Sequence, residues 1–190
     1  MGRKIVVTSG KGGVGKTTLT ASLGIAIAET GKKVVLVDAD IGLNNLDVVL
    51  AVENKVVYDV LDVISGKCRL KQALIQDVDN PTLYVLPSAK IQDSPLITAC
   101  SFRNVVDALA LNFDFVIIDC PAGIDNGFHR AVSAATEAIV VTTPHISAVR
   151  DADKVLSILS GYCLMSVGLV VNRVRGGMVS EGGMMGAGDI

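Results

Sequence analysis

The chain has 190 residues, a length that suits one folded domain with a sizeable apolar core. Half of the residues are hydrophobic but only 4% are aromatic, a composition typical of a parallel sheet that is buried on both faces. The formal net charge of −2 argues against a protein whose main partner is nucleic acid, and no apolar run is long enough to cross a membrane.

Segments with the composition of buried strands alternate with segments that have helical spacing of apolar residues. In chain order, strands are predicted at 4–8, 33–37, 83–86, 113–119, 138–142 and 167–171, and helices at 17–29, 57–64, 102–111, 126–135 and 147–160. This alternation predicts an α/β fold: a doubly wound, mostly parallel sheet flanked by helices, in one domain over residues 1–190. Ligands of such sheets bind beyond the carboxyl ends of the strands.

A glycine-rich segment joins the first predicted strand to the first predicted helix, and it fits the phosphate-binding pattern G-x-x-x-x-G-K-[ST] at every position. The residues expected to contact nucleotide here are Gly10, Lys11, Gly12, Gly13, Val14, Gly15, Lys16, Thr17 and Thr18. Backbone N–H groups of the loop would point at phosphate oxygens, Lys16 would reach the β- and γ-phosphates, and the Thr17 hydroxyl would bind Mg²⁺. The context of strand, loop and helix predicts a nucleotide site rather than an incidental turn.

Acidic residues follow two of the predicted strands. Asp38 and Asp40 come directly after the second strand, where they either cap a loop or serve the metal and the attacking water. Asp119 directly follows four apolar residues, an arrangement typical of a carboxylate that binds Mg²⁺ directly or through water. Gly123 follows in the next loop and is expected to offer a backbone N–H to the γ-phosphate.

Asn172 and Arg173 end the last predicted strand. An asparagine at this place either terminates the strand or reads the edge of adenine, because its amide pairs a donor with an acceptor. The position beyond a buried strand favours contact with the base.

Lys11 is a second lysine in a loop that needs only one. A solvated surface lysine is the simpler interpretation. The segment KGGVGKTT over residues 11–18 resembles the deviant Walker A loop of the MinD/ParA family of ATPases. That resemblance implies an ATP-dependent homodimer, in which Lys11 acts on the nucleotide of the partner and Lys16 on its own, and which separates after hydrolysis.

Three further segments, at 38–47, 119–125 and 143–153, are similar to the branch of this family that places the division septum. The resemblance implies that Asp40 helps to position the attacking water and that Asp38 supports the metal. It also implies that Asn172 and Arg173 contact adenine and that Pro144 packs against the base. ATP and Mg²⁺ are the implied cofactors.

The same resemblance implies where partners bind. The helix that carries Arg150, Asp151 and Asp153 lies where members of the septum-site branch meet the regulators MinC and MinE. The chain departs from the family at Asn44, where arginine is usual, and at Asp125 and His145, where glutamate is common. Asn44 removes a charge next to the segment that follows the second strand, so we expect it to alter partner binding or dimer-linked turnover. Asp125 keeps its charge on a shorter side chain. His145 is either a pH-sensitive contact or a simple surface substitution, and the second is favoured.

Members of this family continue beyond the position of Ile190 with further strands and helices and a membrane-binding amphipathic helix. The resemblance therefore implies a C-terminally truncated domain that is cytoplasmic, whereas longer members lie peripherally on the inner membrane. Nothing in the sequence has the pattern of that amphipathic helix.

Three functions stay open at this point. The first is an ATP-hydrolysing dimerisation switch for septum placement. The second is a ParA-like partition ATPase that binds DNA, although the net charge of −2 disfavours it and predicts no nucleic-acid partner. The third is a nucleotide-binding module without turnover.

Overall fold

A computed structural model describes residues 1–43, 45–90 and 94–190. It contains a seven-stranded sheet with the order β3-β4-β2-β5-β1-β6-β7. The strands are β1 (Arg3–Thr8), β2 (Val34–Asp38), β3 (Ile75–Gln76), β4 (Leu83–Leu86), β5 (Phe115–Asp119), β6 (Glu137–Thr142) and β7 (Ser166–Val171). Every neighbouring pair is parallel except β3 and β4, which are antiparallel.

Helices connect the strands. They are α1 (Lys16–Ala28), α2 (Leu46–Val49), α3 (Val60–Ile64), α4 (Leu70–Ala73), α5 (Ala99–Ala110), α6 (Asn126–Ala134), α7 (Ile146–Leu159) and α8 (Gly176–Ser180). Within the described residues, none of these helices has the length and apolarity that crossing a membrane would require.

Two apolar clusters cover the central strands of the sheet, whereas β7, which the sequence predicts to be buried, is exposed over residues 166–169. One cluster lies against α5, α6 and α7 and contains the fully buried Phe102 and Phe128. The other lies against α1 and α2 and includes Ala21, Leu36 and Leu46. Because both faces are covered, the central strands are apolar along their whole length, which is why they read as continuous β-branched runs in the sequence.

The register of the central strands brings their carboxyl ends together. Asp38 at the end of β2 lies opposite Asp119 at the end of β5, and Val7 of β1 also pairs with Asp119. The phosphate-binding loop leaves β1 beside this acidic pair. The edge predicted to hold the ligand is therefore the edge where the motif residues meet.

The structure confirms the parallel α/β fold and corrects some boundaries. The helix predicted at 57–64 begins only at Val60, because the side chain of Asp59 accepts N–H groups of the first turn in a capping box with Asp62. The strand predicted at 113–119 begins at Phe115. The antiparallel β3 and the short helices α2, α4 and α8 were not predicted.

Candidate functional site

The loop between β1 and α1 closes tightly on its neighbours. Gly15, which precedes α1, has a left-handed backbone with φ of 100°, and a Cβ atom there would lie 2.5 Å from Nδ2 of Asn172. A Cβ atom on Gly10 would lie 2.4 Å from the backbone oxygen of Asp151 in α7. Both positions require glycine, one for its backbone angle and both for the close approach.

The first turns of α1 face the end of β5. The side chain of Lys16 is buried. Burial raises the pKa of Asp40 and of Asp119, and the positive charge of Lys16 opposes part of that rise. The Thr20 hydroxyl donates a hydrogen bond of 3.3 Å to Oδ1 of Asp119, and the Thr17 hydroxyl also bonds this carboxylate. Helix α1 thus places one ammonium group and two hydroxyl groups near Asp119 at the end of β5.

Asp38 and Asp119 form a buried acidic pair. Burial raises the pKa of Asp38 to about 7, and it raises the pKa of Asp119 to about 6. Asp38 accepts backbone N–H groups of Asp40 at 2.9 Å and of Leu46 at 3.2 Å, which partly offsets the cost. In the described part of the chain neither carboxylate has a salt bridge, so the pair is costly without a cation.

This arrangement fits Mg²⁺. The cation prefers oxygen ligands and uses one or two carboxylates together with phosphate and water. The described residues contain no group of three or more His, Cys, Asp or Glu side chains that would hold a metal by themselves. The oxygens of Thr17, Asp38 and Asp119 therefore suit a metal that is shared with a bound phosphate, as the sequence predicts.

Asp40 lies at the mouth of the site. It is partly buried, and burial raises the pKa of its carboxyl group while Lys16 lowers it. It lines a cleft of about 780 Å³ together with Pro121 and Asp125. Gly123, in the loop on the same side, has a left-handed backbone with φ of 89°.

Lys11 turns away from its own loop. The residue is exposed, and its Nζ donates a hydrogen bond of 3.0 Å to Oγ of Ser147 at the start of α7. Its carbonyl oxygen accepts a hydrogen bond of 2.7 Å from the Ser9 hydroxyl. The two lysines of the loop therefore differ in direction, since Lys16 is buried within the site and Lys11 lies on the surface.

Asn172 is bound to the loop itself. Its Nδ2 donates a hydrogen bond of 2.8 Å to the carbonyl oxygen of Val14, and its Oδ1 accepts the backbone N–H of Arg173 at 2.8 Å. Arg173 is exposed and has a left-handed backbone with φ of 63°, a conformation that is uncommon for residues other than glycine. The donor that was expected to face a base is thus used to anchor the loop.

Helix α7 buries one face and exposes the other. Ala148, Ala152 and Val155 point into the core, whereas Arg150 and Asp153 are exposed. Asp151 supplies the backbone oxygen that meets Gly10. Any partner on the exposed face of α7 therefore contacts a helix that touches the phosphate-binding loop.

The other predicted residues are placed as follows. Pro144 is buried and His145 is exposed, both directly before α7. Asp125 is exposed and precedes α6. Asn44 lies outside the described residues.

Three contributors to the site were missed at the level of sequence. Thr20 stands one helical turn after Thr17, so its spacing could have indicated a second hydroxyl on the same face. Ser147 and the backbone N–H of Leu46 have no local signal, because each acts on a residue far away in the chain or through the main chain.

Known proteins resemble this chain over most of its length. A family described as an AAA domain matches residues 2–161. The septum site-determining protein MinD of Synechocystis sp. is 50% identical over 190 residues, which cover 100% of this chain and 71% of that protein.

Two solved structures share the fold. The MinC:MinD cell division protein complex of Aquifex aeolicus superposes with a TM-score of 0.89 at 43% identity, over 98% of this chain and 75% of that chain. MinD of Pyrococcus horikoshii, solved with Mg-ADP, has a TM-score of 0.82 at 38% identity, over 91% of this chain and 71% of that chain.

Proposed function

Since this chain belongs to the MinD family of septum site-determining ATPases, we propose that it is an ATP-driven switch in which the bound nucleotide decides whether two copies associate. The chain is a P-loop ATPase, and its cofactors are ATP and Mg²⁺. The observation that carries the proposal is that the two lysines of one loop differ in burial. Lys16 is buried beside the acidic pair, and Lys11 is exposed.

The loop binds the phosphates. Backbone N–H groups between Gly10 and Thr18 surround the phosphate oxygens, and the positive end of the α1 dipole lies beneath them. Lys16 neutralises the β- and γ-phosphates from inside the site. Because Gly10 and Gly15 are packed against other parts of the fold, the loop is held in shape before the nucleotide binds.

Thr17, Asp38 and Asp119 hold the metal. When bound, Mg²⁺ neutralises charge that develops on the phosphate oxygens during transfer. The Thr20 hydroxyl keeps the Asp119 carboxylate in place. The backbone N–H groups of Asp40 and Leu46 donate to the Asp38 carboxylate and keep it in place in the same way. These hydrogen bonds orient the carboxylate oxygens of Asp38 and Asp119, and the groups that donate them do not bind the metal.

Asp40 positions the attacking water at the open end of the site, and the Gly123 N–H recognises the γ-phosphate. Both residues lie on loops that follow strand ends, so they can move when the γ-phosphate is lost. That movement would couple hydrolysis to separation of the two copies.

Asn172, Arg173 and Pro144 surround adenine. The Asn172 amide keeps its bond to Val14, while its carbonyl oxygen, which has two lone pairs, accepts a hydrogen from the base.

Lys11 crosses to the nucleotide of the second copy. This role agrees with its exposed position and with the hydrogen bond that its side chain donates to Ser147. The negative charge of ATP then becomes part of the interface, so that ADP, with one phosphate fewer, holds the dimer less well.

We also propose regulators. A MinC-like partner is supported by a MinC:MinD complex among the solved relatives. Its placement on the exposed face of α7 follows from the family resemblance alone. A MinE-like regulator and peripheral attachment to a membrane follow from family membership alone. The ParA-like alternative is less supported, because relatives at about 50% identity are septum site-determining proteins.

The first experiment is the molar mass in solution, measured by light scattering with Mg²⁺ and either ADP or a slowly hydrolysed ATP analogue. We expect a monomer with ADP and a dimer with the analogue. A monomer in both conditions, with nucleotide demonstrably bound, would contradict the proposed switch.

Two loop variants separate the roles of the lysines. Lys11→Ala should bind nucleotide like the parent and stay monomeric, whereas Lys16→Ala should lose tight binding. Lys55→Ala, a change at another exposed lysine, serves as the control and should behave like the parent. If Lys11→Ala dimerises normally, the role of Lys11 across the interface is wrong.

A further inference from the structure

A second cleft lies at the opposite edge of the sheet from the nucleotide site. Its volume is about 570 Å³, within the usual range for a ligand pocket. It opens at the amino ends of β4, β2 and β5, between α4 and the end of α5. The lining residues are Lys33, Arg69, Leu70, Lys71, Leu74, Tyr84, Ala108, Leu109, Asn112 and Phe113.

The floor of this amino-edge cleft is apolar and partly aromatic. The rings of Tyr84 and Phe113 meet edge to face with centroids 5.3 Å apart. Leu70 and Leu74 close one side, and all four side chains are only partly buried. An apolar side chain that entered the cleft would cover surface that water now contacts.

The rim of the cleft is cationic. Lys33, Arg69 and Lys71 are all exposed, and the described residues provide no ion pair or side-chain hydrogen bond for any of their charged groups. No carboxylate lines the cleft. The nearby Asp114 uses its Oδ2 to accept the backbone N–H of Lys33 at 2.8 Å.

The backbone beneath the rim is fixed. The carbonyl oxygen of Lys33 accepts the N–H of Asp114 at 2.9 Å and that of Phe115 at 3.1 Å. The N–H of Lys33 is also bonded, so its backbone is fixed, while the described residues offer its ammonium group no ion pair. This contrasts with Lys4 and Arg3 near the same edge, whose charges are paired with carboxylates of this chain.

The lining of the cleft distinguishes between kinds of anion. Lys33 precedes β2, whereas Arg69 and Lys71 lie at the start of α4, so the cations come from two elements around one apolar floor. A compact phosphate has no group that covers this floor. A peptide that carries both carboxylates and an apolar side chain matches the cations and the floor together.

We propose that the amino-edge cleft docks an acidic peptide segment that inserts one aromatic or large aliphatic side chain between Tyr84, Phe113 and Leu74. Its carboxylates pair with Lys33, Arg69 and Lys71. The chemistry of recognition is an apolar anchor flanked by negative charge on both sides. The site is separate from the nucleotide pocket, so two partners can bind the protein at once.

The test uses a fluorescent peptide, Glu-Glu-Phe-Asp-Glu, and measures its anisotropy with the full 190-residue chain. Two control peptides isolate the features: Gln-Gln-Phe-Asn-Gln lacks the charge, and Glu-Glu-Ser-Asp-Glu lacks the anchor. We expect saturable binding of the first peptide, at least about tenfold weaker binding of each control, and weakening by salt.

Charge reversal locates the site. Arg69→Glu/Lys71→Glu should weaken binding of the peptide at least about tenfold. Lys55→Glu/Arg103→Glu should leave peptide binding unchanged, because it reverses the charge of one exposed lysine and one exposed arginine elsewhere. The ATPase rates of both double variants should equal that of the parent, which shows that they fold.

Three results would overturn the proposal. They are no saturable binding of the peptide, an equal loss in both double variants, and binding that does not depend on the phenylalanine. Binding of anionic phosphatidylglycerol vesicles or of an oligothymidylate, in place of the peptide and lost in Arg69→Glu/Lys71→Glu, would also refute it, because the cleft would then serve a lipid surface or a nucleic acid.

Discussion

The two ends of β1 carry charge in opposite ways. At its start, Arg3 holds Glu137 through two hydrogen bonds of 2.8 and 2.6 Å, and Lys4 holds Asp107 at 2.6 Å. At its other end, the acids beside the loop are buried, and the residues that the structure describes form no salt bridge with them. Their pKa values are raised to about 7 for Asp38 and about 6 for Asp119.

The difference shows which charges serve the fold and which serve a ligand. Paired charges at the start of the strand are already satisfied and contribute modestly to stability. Buried acids at its end oppose folding until a cation arrives. Stability and activity should therefore respond oppositely to changes at the two ends.

The largest effect is expected for Asp119→Asn at the carboxyl end. ATP hydrolysis should fall by about a hundredfold or more, because a metal ligand is lost. The nucleotide-free protein should become more stable by about 1 kcal/mol, because a buried charge is removed. Phosphate release and urea unfolding at pH 8 measure the two quantities, and a loss of both would mean that the acid is structural.

Gly10→Ala tests the packing of the loop on α7. Its Cβ atom would lie 2.4 Å from the backbone oxygen of Asp151, so the loop or the helix must shift. We expect a loss of roughly 1–3 kcal/mol of stability and weaker nucleotide binding, measured by urea unfolding and by titration of a fluorescent ATP analogue. Gly168→Ala in β7, where nothing lies within 4 Å of the added carbon, is the control and should change neither.

The acidic pair also predicts how stability depends on pH. Asp38 and Asp119 have pKa values raised from 3.8 to about 7 and about 6 in the folded state. Between about pH 4 and pH 7 the folded state thus binds more protons than the unfolded state, so the free energy of unfolding should fall as pH rises. Glu137 and Asp62, whose pKa values are lowered, act only in the more acidic range.

Urea unfolding of the nucleotide-free protein at pH 5, 6, 7 and 8 measures this slope. Asp38→Asn should make the slope shallower, because one of the two groups no longer titrates. An unchanged slope in that variant would show that the acid pair does not control the pH dependence.

The smallest effect is expected for Asp107→Asn, which breaks the ion pair with Lys4 at the opposite end. The carboxylate side chain is 38% exposed and that of Lys4 is 13% exposed, so we expect a loss of about 0.2–1 kcal/mol. The rate of ATP hydrolysis should stay that of the parent. A large loss of activity here would remove the distinction between the two ends.

The parallel core was predictable because its signals are local. Val34 to Val37 and Val116 to Ile118 are continuous apolar runs, and each run ends at an acid of the proposed metal site. The antiparallel β3 was not predictable, because a strand of two residues, Ile75 and Gln76, is too short to show the alternation of a strand. Its pairing with β4 is a tertiary contact that leaves no local pattern in the sequence.

The site was predictable as a list of residues but not as a set of contacts. The glycine pattern places Lys16 and Thr17 at once, since their positions in the loop fix their direction. The bonds from Lys11 to Ser147 and from Asn172 to Val14 join residues more than 130 positions apart, and no local pattern records them. The roles of Lys11 and Asn172 therefore stay predictions until the variants are measured.

The bond from Asn172 to Val14 also has a consequence for how the chain is made. It joins positions 158 residues apart, so a ribosome delivers the phosphate-binding loop early and its anchor late. During synthesis the loop waits, without this support, until β7 has emerged and aligned beside β6. We then expect tight nucleotide binding only in chains in which β7 is in place, and ATP should stabilise these chains over shorter nascent ones.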